Sequence, residues 1–130
     1  MNRTVLRDVC AAPIYLCTIV GAAFAARLEV SLWQVRDHIA VHVRTPGEDA
    51  WRWFDPVARD SDALELYTRI SQRCPAHMGM HKSQVTCSFD LMRATTYAKD
   101  FHNDMGAALR GAVTNAAMRL YKYEHAHNLI

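Results

Sequence analysis

Trp51-Arg52-Trp53-Phe54-Asp55-Pro56 is the stretch on which the fold turns. An aromatic run favours a strand, and Asp-Pro stops it, because proline lacks an amide donor and forces the residue before it into an extended conformation. Within a strand over 50–54, Trp51 and Trp53 share one face while Arg52 and Phe54 share the other. Asp60, Ser61 and Asp62 then offer helix-starting side chains, and Glu65 stands three residues after Asp62, the spacing of a capping box. A helix over 61–72 follows, with Leu64, Tyr67, Leu66 and Ile70 on or beside its apolar stripe and Cys74-Pro75 at its end. A strand thus feeds a helix, and the other elements are expected to close around that corner.

Upstream, Leu28, Val30 and Leu32 alternate with Arg27, Glu29 and Ser31, and Ile39, Val41 and Val43 alternate with His38, Ala40 and His42. These are two strands of a hairpin turning over 34–37, with His38 and His42 on one face and Thr45-Pro46-Gly47-Glu48-Asp49 as its end. Downstream, 74–82 reads as a loop, Val85, Cys87 and Phe89 mark a fourth strand, and 93–98 is a weaker fifth. His102-Asn103-Asp104 starts a last helix whose Met105, Leu109, Ala112, Val113, Ala116 and Leu120 recur at helical spacing, with Arg110, Thr114, Arg119 and Lys122 facing away. The expected architecture is a single α+β domain over 1–130: an antiparallel sheet of four to five strands with an N-terminal, a central and a C-terminal helix packed on it. The ends, about 1–10 and 124–130, are expected to be loose.

A chain of 130 residues, 51% hydrophobic and 22% charged, suits one domain with one core. Its net charge of +2, spread over both signs, provides no footprint for extended nucleic acid, although a few arginines around one pocket suffice for a small anion. The apolar run 11–26 has two readings. As a buried helix over 14–27, its Ala22, Ala23, Ala25 and Ala26 permit close approach to a sheet, and the protein belongs in the cytoplasm. As a secretion signal, with Arg3 and Arg7 before it and Ala23-Phe24-Ala25 as a cleavage site, it implies a secreted or periplasmic domain. Asp8 and Pro13 weigh against the second reading. The run is short for a membrane span, which needs about 20 apolar residues.

Four cysteines, Cys10, Cys17, Cys74 and Cys87, form no Cys-x-x-Cys pair. In the secreted reading, Cys74 and Cys87 are left to form a disulfide. Cys74, His77, His81 and Cys87 form a second kind of cluster, two thiols and two imidazoles, the donor set of a tetrahedral zinc site, at a spacing that matches no known zinc module. The same residues, with His102, are the material for a thiol enzyme, but a triad is defined by geometry rather than inventory. No phosphate loop, H-E-x-x-H or G-x-S-x-G signature occurs. For binding, Trp33, Trp51, Trp53 and Tyr97 offer flat faces to a ring, and Arg36, Arg44, Arg52 and Arg93 offer charge to a phosphate. The competing reading spends the tryptophans on packing and the arginines on solvated edges.

The apolar alanine-rich helix, the hairpin, Phe54-Asp55-Pro56, the helix start Asp60-Ser61-Asp62-Ala63-Leu64 and the closing Ala107-Ala108-Leu109-Arg110-Gly111-Ala112-Val113 together resemble the small phage and prophage proteins of the phage ABA sandwich type. The resemblance covers roughly 12–123 and departs in the long hydrophobic lead before Gly21. It implies a sheet with helices packed on it, encoded by a phage or prophage and working in the bacterial cytoplasm, and it brings no functional residues with it. The expected function is a non-catalytic accessory protein, without a cofactor, that binds a host molecule: a small nucleotide of a defence system or a host protein. An exposed sheet edge with aromatics also favours homo-oligomers. The alternatives are the secreted domain with a Cys74 to Cys87 bridge and the metal- or thiol-dependent enzyme.

Overall fold

Val30, Val41 and Val43 are buried on one face of an antiparallel hairpin, as their alternation requires, and the computed structural model extends that hairpin into a four-stranded sheet. The structure describes residues 2–98 and 101–129, with side chains at all of these except 35 and 101–103. In chain order the elements are β1 (Asn2–Leu6), α1 (Cys17–Ala25), β2 (Glu29–Val35), β3 (His38–Arg44), β4 (Arg52–Trp53), α2 (Asp60–Ser71), β5 (Ala76–His81), β6 (Gln84–Phe89), β7 (Met92–Tyr97) and α3 (Phe101–Ala126). The fold is α+β, with N-terminal, central and C-terminal helices. Its strands form two antiparallel sheets rather than one, ordered β1-β2-β3-β4 and β5-β6-β7.

Three differences from the sequence reading have local causes. Residues 2–6, expected to be loose, pair along β2 as an edge strand, because Leu6 reaches the core opposite Val30 while Arg3 and Val5 lie on the other face. Residues 76–81, read as a loop, form β5, with Met78 opposite Cys87 on the core face. The other loose end is shortened too, since α3 continues to Ala126; Met1 and Ile130 lie outside the described residues.

At the corner, β4 is only two residues long, and Phe54 is fully buried just beyond it. The expected capping box does not form: Arg59 is the N-cap, and the buried Asp62 reaches back to accept the Asp55 amide at 2.9 Å. Glu65 instead pairs with Arg52 and Arg69. Leu66 and Ile70 form the buried stripe of α2, whereas Leu64 is 66% exposed. Upstream, Pro46 and Gly47 make the tight turn out of β3: Gly47 has φ +90°, and the Glu48 amide donates to the Thr45 carbonyl at 3.0 Å.

Helix α3 holds the layers together, packing on α1, α2, β6 and β7. Its Ala112, Val113, Ala116 and Ala117 are buried, and so is Thr114, which was expected to face solvent but turns its hydroxyl onto the Arg110 carbonyl. Helix α1 lies mainly on α3, more than on the sheet, because a Cβ at Gly21 would stand 2.0 Å from the Met118 sulfur. Val20, Leu66, Ile70, Val85 and Phe89 complete the core, each worth roughly 1.5–3 kcal/mol relative to exposure.

Candidate ligand-binding site

The two faces of the first sheet differ in chemistry. Its inner face carries Val30, Val41 and Val43; strand alternation puts Arg3, Ser31, Trp33, His38, Ala40, His42, Arg44 and Trp53 on the other. Register brings these outer residues together: Arg3 lies opposite Trp33, Trp33 opposite Ala40, and His42 opposite both Ser31 and Trp53. Small residues at 31 and 40 leave room between the large rings. The result is a groove of about 310 Å³ lined by Trp33, His38, Ala40, His42 and Trp53.

The rings are ordered by one another. The His42 imidazole stacks on Trp33 at 5.6 Å between ring centroids and meets Trp53 at 5.5 Å, tilted by 54°. His38 also stacks on Trp53, at 6.3 Å. Beside the groove, the Arg3 guanidinium lies 4.4 Å from the Trp33 ring and 4.8 Å from Trp51, and Arg44 lies 4.4 Å from Trp51. Arg3 donates to Ser31 Oγ at 2.7 Å and sits 3.3 Å from His42 Nδ1. Arg44 has Glu29 as its carboxylate partner; Arg3 has none among the described residues.

The electrostatics favour an anion here. Partial burial and then the charge of Arg44 pull Arg3 below the ordinary guanidinium value, so two cations share one indole with one carboxylate between them. Burial and then Arg3 pull His42 below the ordinary imidazole value, which keeps it neutral at neutral pH. His42 is 9% exposed, and its Nε2 is buried without a hydrogen-bond partner. A buried polar atom left unpaired is costly and uncommon, and this one belongs to a residue that lines the groove.

The structure divides the sequence's binding set. Trp33, Trp51, Trp53 and Arg44 come together on the outer face. Arg52 lies on the inner side, opposite Val43, where its guanidinium pairs with Glu65. Arg36 is exposed in the two-residue turn between β2 and β3, at φ +56°. Arg93 and Tyr97 stand on the outer face of the other sheet. Two contributors escaped the sequence reading. Arg3 was seen only as charge ahead of an apolar run, although Thr4-Val5-Leu6 is good strand material; His42 was placed on a face with His38, but its neighbours depend on register.

The Cys74, His77, His81 and Cys87 cluster does not assemble. Cys87 faces the core opposite Met78, so alternation turns His77 and His81 to the solvent face of β5, and Cys74 lies before the strand. Among the described residues, no three His, Cys, Asp or Glu side chains are placed to hold a metal ion. Cys74 and Cys87 are free thiols, so the bridge expected for a secreted domain is not made. Burial pushes the Cys87 thiol up to about 12, and it also raises Cys74, helped by Asp90 and Glu124 against Arg73. Neither is an activated nucleophile. The His102 side chain, a possible triad partner, lies outside the described residues.

A larger cleft, about 490 Å³, runs between α2 and α3 over Met78, lined by Ala63, Leu64, Tyr67, Leu109 and Val113. Its rim Asp60 is already engaged by Arg110 at 2.7 Å, so it offers few free polar groups to orient a ligand. Among the described residues, no helix is long and apolar enough to cross a membrane. No known family, curated protein or solved structure matches the chain.

Proposed function

We propose that this is a non-catalytic binding protein that captures a small, ring-bearing anion on the outer face of the first sheet, in the phage or prophage setting that the sequence resemblance implies. The observation that carries the reading is the buried, unpartnered His42 Nε2 in a groove walled by Trp33 and Trp53, with Arg3 and Arg44 at its side. A planar ring fits upon the Trp53 indole, whose area is otherwise poorly spent, since it is 55% exposed. The anion would sit with Arg3 and Arg44 and relieve their mutual repulsion. A groove near 300 Å³ is at the small end of ligand sites, which favours a single mononucleotide-sized molecule over a polymer.

The test is a thermal shift screen with cyclic and linear nucleotides and with phenyl phosphate, a ring-bearing anion. A ligand at 100 times its Kd stabilises the native state by about 2.7 kcal/mol and raises Tm accordingly. The shift should shrink with added salt and in Arg3→Ala and Trp53→Ala. If no member of the panel raises Tm at millimolar excess, the reading is wrong.

A further inference from the structure

The hydrogen-bond partners of His42 decide what kind of ring the groove recognises. A guanidinium has donors and no acceptor, so within the 3.3 Å contact between Arg3 Nη1 and His42 Nδ1 the imidazole nitrogen must be the acceptor. A neutral imidazole carries one proton, and with Nδ1 accepting, that proton is on Nε2. Nε2 is therefore a donor, and it is buried without a hydrogen-bond partner in a ring flanked by Trp33 and Trp53, whose π faces accept an N–H far more weakly than an oxygen or a ring nitrogen does.

We infer that His42 Nε2–H reads a hydrogen-bond acceptor on the edge of the bound ring, so that the groove selects nucleobase-type heterocycles over plain aromatic rings. The inference rests on the ring-and-anion reading above and deepens it. A nucleobase edge presents carbonyl oxygens and ring nitrogens in the plane of the ring, where an N–H donor can meet them. A phenyl ring presents none. The sheet holds this donor in place from two sides. Arg3 fixes the tautomer through Nδ1 and is itself held by Ser31 at 2.7 Å, while Trp33 stacks on the imidazole and limits its rotation. Trp53 lies against the same imidazole, 5.5 Å away between ring centroids. It stands at the end of a two-residue strand and is 55% exposed, so its rotation is the least costly way to uncover the donor. Binding should therefore change tryptophan fluorescence.

Two measurements test this. In the first, the adenosine, guanosine, cytidine and uridine 5'-monophosphates and phenyl phosphate are titrated into the wild-type chain, His42→Phe and His42→Gln, followed by calorimetry and tryptophan fluorescence. One hydrogen bond is worth about fivefold to tenfold in affinity, so at least one mononucleotide should bind about that much more tightly than phenyl phosphate. The gap should close in His42→Phe, which keeps a flat ring without a donor, and partly return in His42→Gln. If phenyl phosphate binds as tightly as every mononucleotide, the donor idea falls while the ring-and-anion reading stands. If none of the five binds, the donor idea falls, and if the cyclic nucleotides give no Tm shift either, the reading beneath it falls as well. The second measurement needs no variant: long-range ¹⁵N–¹H correlation of the wild-type imidazoles at pH 7.5 should show His42 with its proton on Nε2. A proton on Nδ1 overturns the inference whatever the affinities are.

Discussion

Asp62 shows how one side chain can fix a chain reversal. Its carboxylate is buried and accepts the Asp55 amide, the last donor before Pro56, so that the strand ends and the helix begins around one hydrogen bond. Arg59, 3.7 Å away, supplies the compensating charge. A hydrogen bond to a charged acceptor is worth about 1.5–3 kcal/mol, and its loss leaves the amide unpaired. Asp62→Ala should cost about 2 kcal/mol, read from urea unfolding midpoints, and Asp62→Asn, which keeps an acceptor, clearly less. His42 is the other decisive residue. It is faced by Arg3 from β1, Ser31 and Trp33 from β2, His38 and Arg44 from β3, and Trp53 from β4. Burial and Arg3 hold its folded pKa below the ordinary 6.5. The unfolded chain therefore binds the proton first, and stability that is complete above about 6.5 is lost as pH falls through the folded value. Tm should drop between pH 7.5 and 5.5, and the drop should be smaller in His42→Phe. An equal drop in both would remove His42 from the account.

At the scale of elements, what was legible was whatever rests on local periodicity. β2, β3 and β6 alternate cleanly, β7 more weakly, and α2 and α3 carry helical stripes, so these elements were readable, with single faces such as Leu64 and Thr114 misassigned. β1 and β5 were not, for different reasons. β1 lies at a sheet edge, with Leu6 buried and most of its other side chains open, so it has little hydrophobic signal. β5 alternates, but Gly79 is a weak strand former and the segment carries no β-branched residue, and pairing with β6 overrides this. The site suffered accordingly: its tryptophans were visible, while Arg3 on β1 depends on contacts across 28 or more residues and the seating of His42 between two indoles depends on the exact register of β2, β3 and β4. The same logic governs α1 and α3, where Gly21 leaves the space that the Met118 side chain fills. Gly21→Val should force Met118 and Tyr121 aside and cost about 1–3 kcal/mol, the range for overpacking. Pairing it with Met118→Ala, which vacates the space, should recover part of that loss in the same thermal unfolding measurement.

For the whole molecule, the question is what joins two sheets and three helices, and much of the answer lies at Glu124. This buried carboxylate accepts from both Arg73 amino groups at 2.7 Å and from Arg27 Nη2 at 3.0 Å, while Arg73 also donates to the Ala25 carbonyl at 2.6 Å. The C-terminal ends of α1, α2 and α3 meet in this one cluster. It also explains why Arg27 occupies a left-handed conformation at φ +59°, where glycine is usual after a helix: Leu28 and Arg27 amides close the end of α1 on Ala23 and Phe24, and that turn aims the guanidinium at Glu124. Burial alone would push the Glu124 carboxyl up, but the Arg73 and Arg27 hydrogen bonds and charges outweigh it and hold it below the ordinary 4.5. A depressed folded pKa contributes stability that is present above about 4.5 and lost as pH falls through the folded value. Breaking a buried ion pair from one side costs about 3–5 kcal/mol; because both arginines keep some contact with water, Glu124→Ala should lose about 3 kcal/mol at pH 7. Its disadvantage relative to the wild type should narrow as pH is lowered below 4.5, where the native carboxylate is itself being protonated. Unfolding by urea at pH 7 and pH 3.5 checks both statements, and a constant difference between the two pH values would mean that the cluster owes its strength to packing rather than to charge.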